Sequence, residues 1–285
     1  MAVCETCFRR CELKEGQVGF CGGRSCREGR VSARNYGRVT ALALDPIEKK
    51  PLHRFRPGSL VLSVGSYGCN LRCPFCQNAD ISWSKDAMSL AERTAYVSPE
   101  DLAYTAARYR DRGNLGVAFT YNEPLIGWEY VRDTAKLVKQ AGMCNVLVTN
   151  GTASPTVLKE LAPYIDAMNI DLKGYSEAYY HALGGSFDMV LDFIAGAVRV
   201  CHVELTTLIV PGENDGAEEM RALTRWVSGL KDADGRLVGA EIPLHITRFF
   251  PRFHRRDLPP TPIRTIDRLM EVAGEQLRYV YPGNC

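Results

Sequence analysis

From Leu60 onward, short apolar runs alternate with longer stretches in which apolar residues recur every three or four positions. The first pattern is that of buried strands, the second that of amphipathic helices. The runs predict strands over Leu60–Val64, Val117–Thr120, Asn145–Thr149, Ala167–Leu172, Val203–Val210 and Ala240–Thr247. Helices are expected from Ser98, over Trp128–Gln140, from Ser154, and over Phe187–Val200, Ala217–Leu230 and Pro262–Ala273. Ser98-Pro99-Glu100-Asp101 supplies an N-cap, a proline at the first helical position and acidic residues in the first turn.

Strand–helix alternation repeated about six times implies a parallel sheet with right-handed crossovers, too few units for a closed eight-stranded barrel. The expected fold is α/β, a partial (β/α)6 TIM-like barrel over residues 59–285, with a doubly wound open sheet as the second reading. Both place ligands at the carboxyl ends of the strands. Residues 1–58 read as a separate cysteine-rich amino-terminal segment, closed by Pro51 and the turn Arg56-Pro57-Gly58. The chain shows no internal repeat and no low-complexity stretch.

With 285 residues, 46% of them hydrophobic, the chain can bury a sizeable core. A formal net charge of +2 gives no strong pull toward nucleic acid or an anionic membrane. No apolar run approaches bilayer-spanning length, and the opening Met-Ala-Val-Cys-Glu lacks the apolar core of a signal peptide. A cytoplasmic location is therefore expected. Eleven cysteines are present, eight of them within the first 76 residues. Clustered cysteines in a reducing compartment read as metal ligands rather than disulfides. Cys144 and Cys201, in and beside apolar runs, read as packing residues.

Cys69, Cys73 and Cys76 supply three thiolates within Gly-Cys-Asn-Leu-Arg-Cys-Pro-Phe-Cys-Gln-Asn. A four-iron, four-sulfur cluster takes one thiolate per iron, so three ligands leave one iron open to a substrate or cofactor. Zinc and a redox dithiol are the rivals, although a structural zinc site closes with four ligands and no fourth lies nearby. Cys4, Cys7, Cys11 and Cys21 form a second candidate set with Cys26 to spare, suited to zinc or to an auxiliary iron–sulfur cluster. Zinc is favoured there, because a short arm without a core needs a staple.

The predicted strand ends are polar: Thr120, Tyr121, Asn122 and Glu123; Thr149 and Asn150; Asn169, Asp171 and Lys173; Glu204 and Thr206; His245 and Thr247. Asp171 and Glu204 stand out, since a carboxylate in an apolar strand needs a partner or ligand to offset desolvation. Lys173 serves equally well as a plain ion-pair partner of Asp171. The run from Arg248 to Arg256 mixes cations with aromatics; it could dock RNA or an acidic peptide, but a loop whose Phe residues cap the barrel is the favoured reading.

The Cys-x3-Cys-x2-Cys spacing, with Phe75 before the last cysteine, resembles the signature of radical S-adenosylmethionine (SAM) enzymes. With Phe-Thr-Tyr-Asn-Glu-Pro, Val-Thr-Asn-Gly, Asp-Leu-Lys and Val-Pro-Gly-Glu-Asn-Asp in order, nearly the whole chain resembles pyruvate formate-lyase activating enzyme relatives. Asp45-Pro46-Ile47-Glu48-Lys49-Lys50-Pro51 resembles the branch called the AmmeMemoRadiSam system radical enzyme. The resemblance implies a 4Fe-4S cluster on Cys69, Cys73 and Cys76 whose open iron chelates SAM. Reduction then cleaves SAM to a 5′-deoxyadenosyl radical that abstracts hydrogen from a peptide, protein or small molecule. Phe75, Asn122, Glu123, Asn150, Asp171, Lys173 and His245 are the implied cofactor-binding residues; this chain has Asn-Glu where the family has Gly-Gly-Glu. A reductant such as flavodoxin or ferredoxin and Memo-like and AMMECR1-like partners are implied as well. The family's Cys-Pro-x-Cys near a longer carboxyl tail has no counterpart in the given sequence, which puts any role for Cys285 in doubt. A glycyl radical enzyme activating enzyme is the rival enzyme reading, and a zinc-stapled binding module the non-enzymatic one.

Overall fold

The computed structural model describes the backbone of residues 1–285 and all side chains except those of residues 88, 91 and 92. Two small antiparallel ladders come first, β1 (Ala2–Val3) with β2 (Glu12–Leu13) and β3 (Arg24–Arg27) with β4 (Arg30–Ala33). The main sheet follows: β5 (Ala41–Pro46), β6 (Leu60–Gly65), β7 (Asn114–Phe119), β8 (Cys144–Thr149), β9 (Ala167–Asp171), β10 (His202–Ile209), β11 (Leu244–Arg248) and β12 (Val280–Gly283). Its helices are α1 (Ala79–Ser82), α2 (Lys85–Arg93), α3 (Pro99–Arg108), α4 (Trp128–Gln140), α5 (Pro155–Leu161), α6 (Glu177–Ala182), α7 (Phe187–Ala197), α8 (Ala217–Ser228) and α9 (Ile263–Gly274).

Spatial order in this sheet equals chain order from β5 to β12, and every pair is parallel except β5 with β6. A doubly wound sheet reverses its strand order at a switch point. No reversal occurs, so the partial barrel is the architecture and the open-sheet reading falls. Its edges, β5 and β12, are not paired to each other. The helices bury one stripe each: Tyr130, Val131, Thr134, Ala135 and Val138 of α4, and Ile266, Leu269, Val272 and Ala273 of α9, face the core. Each fully buried Val, Leu or Ile contributes about 1.5–3 kcal/mol, which outweighs the weak intrinsic preference of any single turn. The Ser98 hydroxyl accepts from the Asp101 N–H at 3.0 Å, capping α3 as its sequence predicts.

The predicted strand over Ala240–Thr247 is corrected to start at Leu244, because Gly239–Glu241 closes a 3-10 turn ahead of Pro243. Residues 198–200, expected to continue a helix, leave it after Ala197 in a turn that delivers the chain to β10. Residues 1–58 do not share one environment, since β5 lies in the main sheet while β1 to β4 lie in the small ladders.

A segment running from Ile47 to Arg54 plugs the barrel toward the amino ends of its strands. Ile47 and Leu52 are fully buried against Val61, Ala118, Val146 and Ala167. Asn169 donates to the Pro51 carbonyl at 2.8 Å, and Glu204 accepts the backbone N–H groups of His53 at 2.9 Å and Arg54 at 2.7 Å. The plug becomes the floor of the cavity described next.

Candidate active site

One cavity of about 790 Å³ occupies the barrel interior, from this floor to the carboxyl ends of the strands. Cys69, Cys73, Phe75, Cys76, Asn122, Glu123, Asn150, Asp171, Lys173 and His245 all line it. The structure thus gathers the three loop cysteines and all seven implied cofactor-binding residues around one cavity, whereas Asn169 and Glu204, also singled out by the sequence, are not in its lining. Cys4, Cys7, Cys11 and Cys21 lie outside its lining, in the arm behind the cysteine loop.

The loop carrying the three sulfurs leaves β6 through Gly68, whose φ is +94° and whose missing side chain lets the Cys21 carbonyl approach. Any Cβ at position 68 would stand 2.6 Å from that oxygen. The Cys69 N–H then donates to the same carbonyl at 3.1 Å. Asn70 is buried and donates to the Thr152 carbonyl at 2.9 Å, while Asn150 donates to Asn70 at 2.9 Å and reaches the Cys69 sulfur at 3.7 Å. Burial pushes the thiols of Cys69, Cys73 and Cys76 above the ordinary value, Cys73 to about 12. Buried thiols of this kind become thiolates only when a cation takes the proton's place, and sulfur donors suit a soft metal centre. Among the described residues, no three Cys, His, Asp or Glu side chains converge on a single metal ion, whereas a cluster that takes one thiolate per iron does not require its sulfurs to meet at one point.

Glu123 sits beside this loop with 3% of its surface exposed. It accepts from the Thr149 hydroxyl at 2.7 Å and from the backbone N–H groups of Asn150 at 2.8 Å and Leu125 at 2.9 Å. Burial outweighs those three donors and pushes its carboxyl up to about 7. Asp171 and Lys173 pair at 2.7 Å, as the salt-bridge reading of the sequence expected. Burial opposes the Lys173 charge, but Asp171 and the Cys73 sulfur override it and hold the ammonium well above its usual value. Asn122 is engaged differently: its side chain accepts from Ser66 N–H at 2.9 Å and donates to the Gly68 carbonyl at 3.1 Å, bracing the loop. His245, 1% exposed, directs Nε2 at Glu204 over 2.7 Å and stacks on Tyr281.

Sequence reasoning missed the wall opposite the cysteines. Asp45, Glu48, Lys49, Lys50, Pro51 and His53 line the cavity too. Asp45 accepts from Lys50 and from the Tyr121 hydroxyl, both at 2.8 Å, and Tyr121 holds a left-handed φ of +72° to make that contact. Backbone strain at a non-glycine residue lining a cavity is a functional signature. The Asp-Pro-Ile-Glu-Lys-Lys-Pro stretch was the available signal, but its position in the amino-terminal segment pointed away from the barrel.

In the amino-terminal arm, the Cys4 N–H donates to the Cys11 carbonyl at 2.9 Å, and burial pushes Cys7 up and Cys21 to about 11. Cys26 is buried within β3, Cys144 and Cys201 are partly buried, and Cys285 is exposed.

Residues 63–226 match the Radical SAM superfamily, more than half of the chain. An uncharacterised protein of Methanocaldococcus jannaschii is 40% identical over 284 residues, which cover 99% of this chain and 80% of that relative. The pyruvate formate-lyase-activating enzyme of Clostridium pasteurianum is 27% identical over 172 residues, 59% of this chain and 69% of the relative. In fold, the chain is similar to Streptococcus suis SuiB bound to S-adenosylmethionine, with a TM-score of 0.57 at 14% identity over 77% of this chain and 48% of that one. The chain belongs to the radical SAM superfamily. It is an enzyme of that kind, related to the pyruvate formate-lyase activating enzymes, and membership implies SAM and a 4Fe-4S cluster as cofactors. No described helix is long and apolar enough to cross a membrane.

Proposed function

We propose that Cys69, Cys73 and Cys76 hold a site-differentiated 4Fe-4S cluster and that the cavity beneath it seats SAM. The supporting observation is the convergence of the three loop thiols, Glu123 and the Asp171–Lys173 pair on one cavity. When bound, cluster and SAM together supply reductive cleavage to a 5′-deoxyadenosyl radical that abstracts hydrogen from the substrate. The chain's own residues bind, orient and exclude water. Glu123, under-partnered for a buried carboxylate, accepts the methionyl ammonium. Lys173 and Asp171 hold the carboxylate and ribose, Asn150 steadies both the cysteine loop and Glu123, and Phe75 closes the side of the cavity against Phe249. Asn122 acts through the backbone it braces, and His245 lines the far end under the control of Glu204.

Residues 59–285 form the catalytic unit in this reading, with residues 1–58 as its amino-terminal extension and Cys4, Cys7, Cys11 and Cys21 as a second site for zinc or an auxiliary cluster. The Asp45–Pro51 wall favours the AmmeMemoRadiSam branch, with Memo-like and AMMECR1-like partners, a peptide, protein or small-molecule substrate, and a cytoplasmic location. Glycyl radical activation is the second reading, favoured by the activating-enzyme relatives. Anaerobic purification with iron and sulfide analysis, followed by dithionite and SAM, tests the core reading. Release of 5′-deoxyadenosine is expected; a colourless, iron-free protein inert toward SAM after reconstitution refutes it. Metal counts on Cys4→Ser and Cys7→Ser variants report on the second site.

A further inference from the structure

A second cavity, of about 350 Å³, lies outside the barrel, between the β3–β4 ladder and the stretch that leads into β5. It shares no lining residue with the large cavity, and its volume falls within the ordinary range of small-molecule sites. Arg27, Arg34 and Arg38 line it together with Ser25, Ser32 and Tyr96.

The fold neutralises a neighbouring arginine but not these three. Arg24, on the same ladder, donates to both carboxylate oxygens of Glu129, at 2.8 and 2.7 Å. Among the described residues, Arg27, Arg34 and Arg38 form no ion pair, and the Arg38 guanidinium donates to the Thr94 carbonyl at 3.0 Å. Carboxylates on adjoining elements are committed elsewhere. Asp133 of α4 holds Arg132 at 2.9 Å and accepts from the Tyr36 hydroxyl at 2.8 Å. Glu15, which feels Arg27 only at longer range, accepts from the N–H groups of Glu28 at 2.9 Å and Gly29 at 3.1 Å. Glu100 of α3 lines no part of the cavity.

Tyr96 is 57% exposed and yet fixed in place. The Val97 N–H donates to the Gly37 carbonyl at 2.8 Å, and the Val39 N–H to the Ala95 carbonyl at 3.2 Å. The Tyr96 ring packs on Gly37, whose φ is +68° and where any Cβ would stand 2.4 Å from the ring. Like charges gathered on one cavity repel until an anion sits among them, and the planar guanidinium fork matches phosphate oxygens in bidentate fashion. A rigid, exposed aromatic face beside them is a stacking platform for a heterocycle. An acidic side chain would use the arginines and leave the ring idle, whereas a nucleotide uses both.

We infer that this cavity binds a nucleoside polyphosphate, with its phosphates among Arg27, Arg34 and Arg38 and its base on Tyr96. The two cavities share no residue, so the inference does not depend on the cluster assignment.

The test uses the reconstituted full chain with saturating SAM, which competes for the barrel cavity against adenine compounds. ADP is the probe, with inorganic pyrophosphate and adenosine beside it, each titrated by isothermal calorimetry. Saturable ADP binding is expected, with pyrophosphate and adenosine both weaker. R27Q/R34Q is expected to weaken ADP binding about 10- to 100-fold. Y96A is expected to weaken it about tenfold and to leave pyrophosphate unchanged. These variants alter different parts of the wall, so misfolding of one leaves the other decisive. R252Q/R256Q, on the loop after β11, removes the same charge and is expected to bind ADP as wild type does. No saturable binding at millimolar ADP, an unchanged R27Q/R34Q variant or an equal loss in the control overturns the site. Equal affinity for ADP and pyrophosphate, or an unchanged Y96A variant, overturns the nucleotide in favour of a plain anion. Tighter binding of a short RNA than of ADP, lost as salt rises, overturns it in favour of a nucleic-acid surface. The variants report on this cavity whether or not SAM binds, so failure of the cluster reading is distinguished from failure of this site.

Discussion

Two buried glutamates, one lining the cavity and the other behind its floor, have their pKa values pushed in opposite directions. Glu204, at the floor, is fully buried, and burial by itself would raise its pKa. Two imidazoles, those of His202 and His245, and the N–H groups of His53 and Arg54 outweigh that effect and hold it at about 2. Glu123, at the rim, has three donors, none of them able to carry a charge, and Asp171 adds repulsion; burial wins and the group sits near 7. The floor carboxylate is completed by its own chain. The rim carboxylate is left short of positive charge, which suits a cationic ligand.

The sharpest break in this contrast comes from the sulfurs that flank Glu123. Cys73→Ala is expected to abolish iron and sulfide retention and SAM cleavage, read by metal analysis and by release of 5′-deoxyadenosine. Glu204→Ala comes next: it orphans two imidazoles and two backbone donors and is expected to cost about 3–5 kcal/mol in chemical denaturation. The parallel change Glu123→Gln is expected to leave stability within about 1 kcal/mol, since a neutral amide tolerates that burial better. Equal destabilisation by both changes would erase the distinction.

Ligand affinity sharpens the comparison from the other side. Glu123→Gln replaces a charge-assisted contact and is expected to weaken SAM binding about 10- to 100-fold, measured by equilibrium dialysis on the reconstituted protein. Acid sensitivity is the smallest effect. The Glu204 pKa is depressed from 4.5 to about 2 on folding, so its contribution is complete above about 4.5 and is lost as pH falls toward about 2. That contribution amounts to about 3 kcal/mol, and Glu204→Gln is expected to flatten this part of the stability–pH curve.

Much of the architecture was legible along the chain. The helix over Trp128–Gln140 has the predicted ends, because its apolar stripe and the turn at Gly142 are local features. Strand ends were legible wherever polar residues follow an apolar run, as at Thr149-Asn150 and Asp171-Leu172-Lys173. β12 was not, since four residues containing Pro282 and Gly283 carry no alternation. Nor was the engagement of Asn122 with Ser66 and Gly68, or of Glu204 with the plug, because those partners are far away in sequence.

The sequence by itself determined the periods that make helices and strands, the caps that bound several of them, and the spacing that puts three thiols on one loop. These depend on neighbours within a few turns of chain. Only the tertiary structure decided that Asp45, Lys50 and His53 wall the same cavity as Cys69. It also decided which carboxylate is satisfied and which is not. Desolvation and hydrogen bonding act through space, and the groups that set them for Glu204 include His53, 151 residues away.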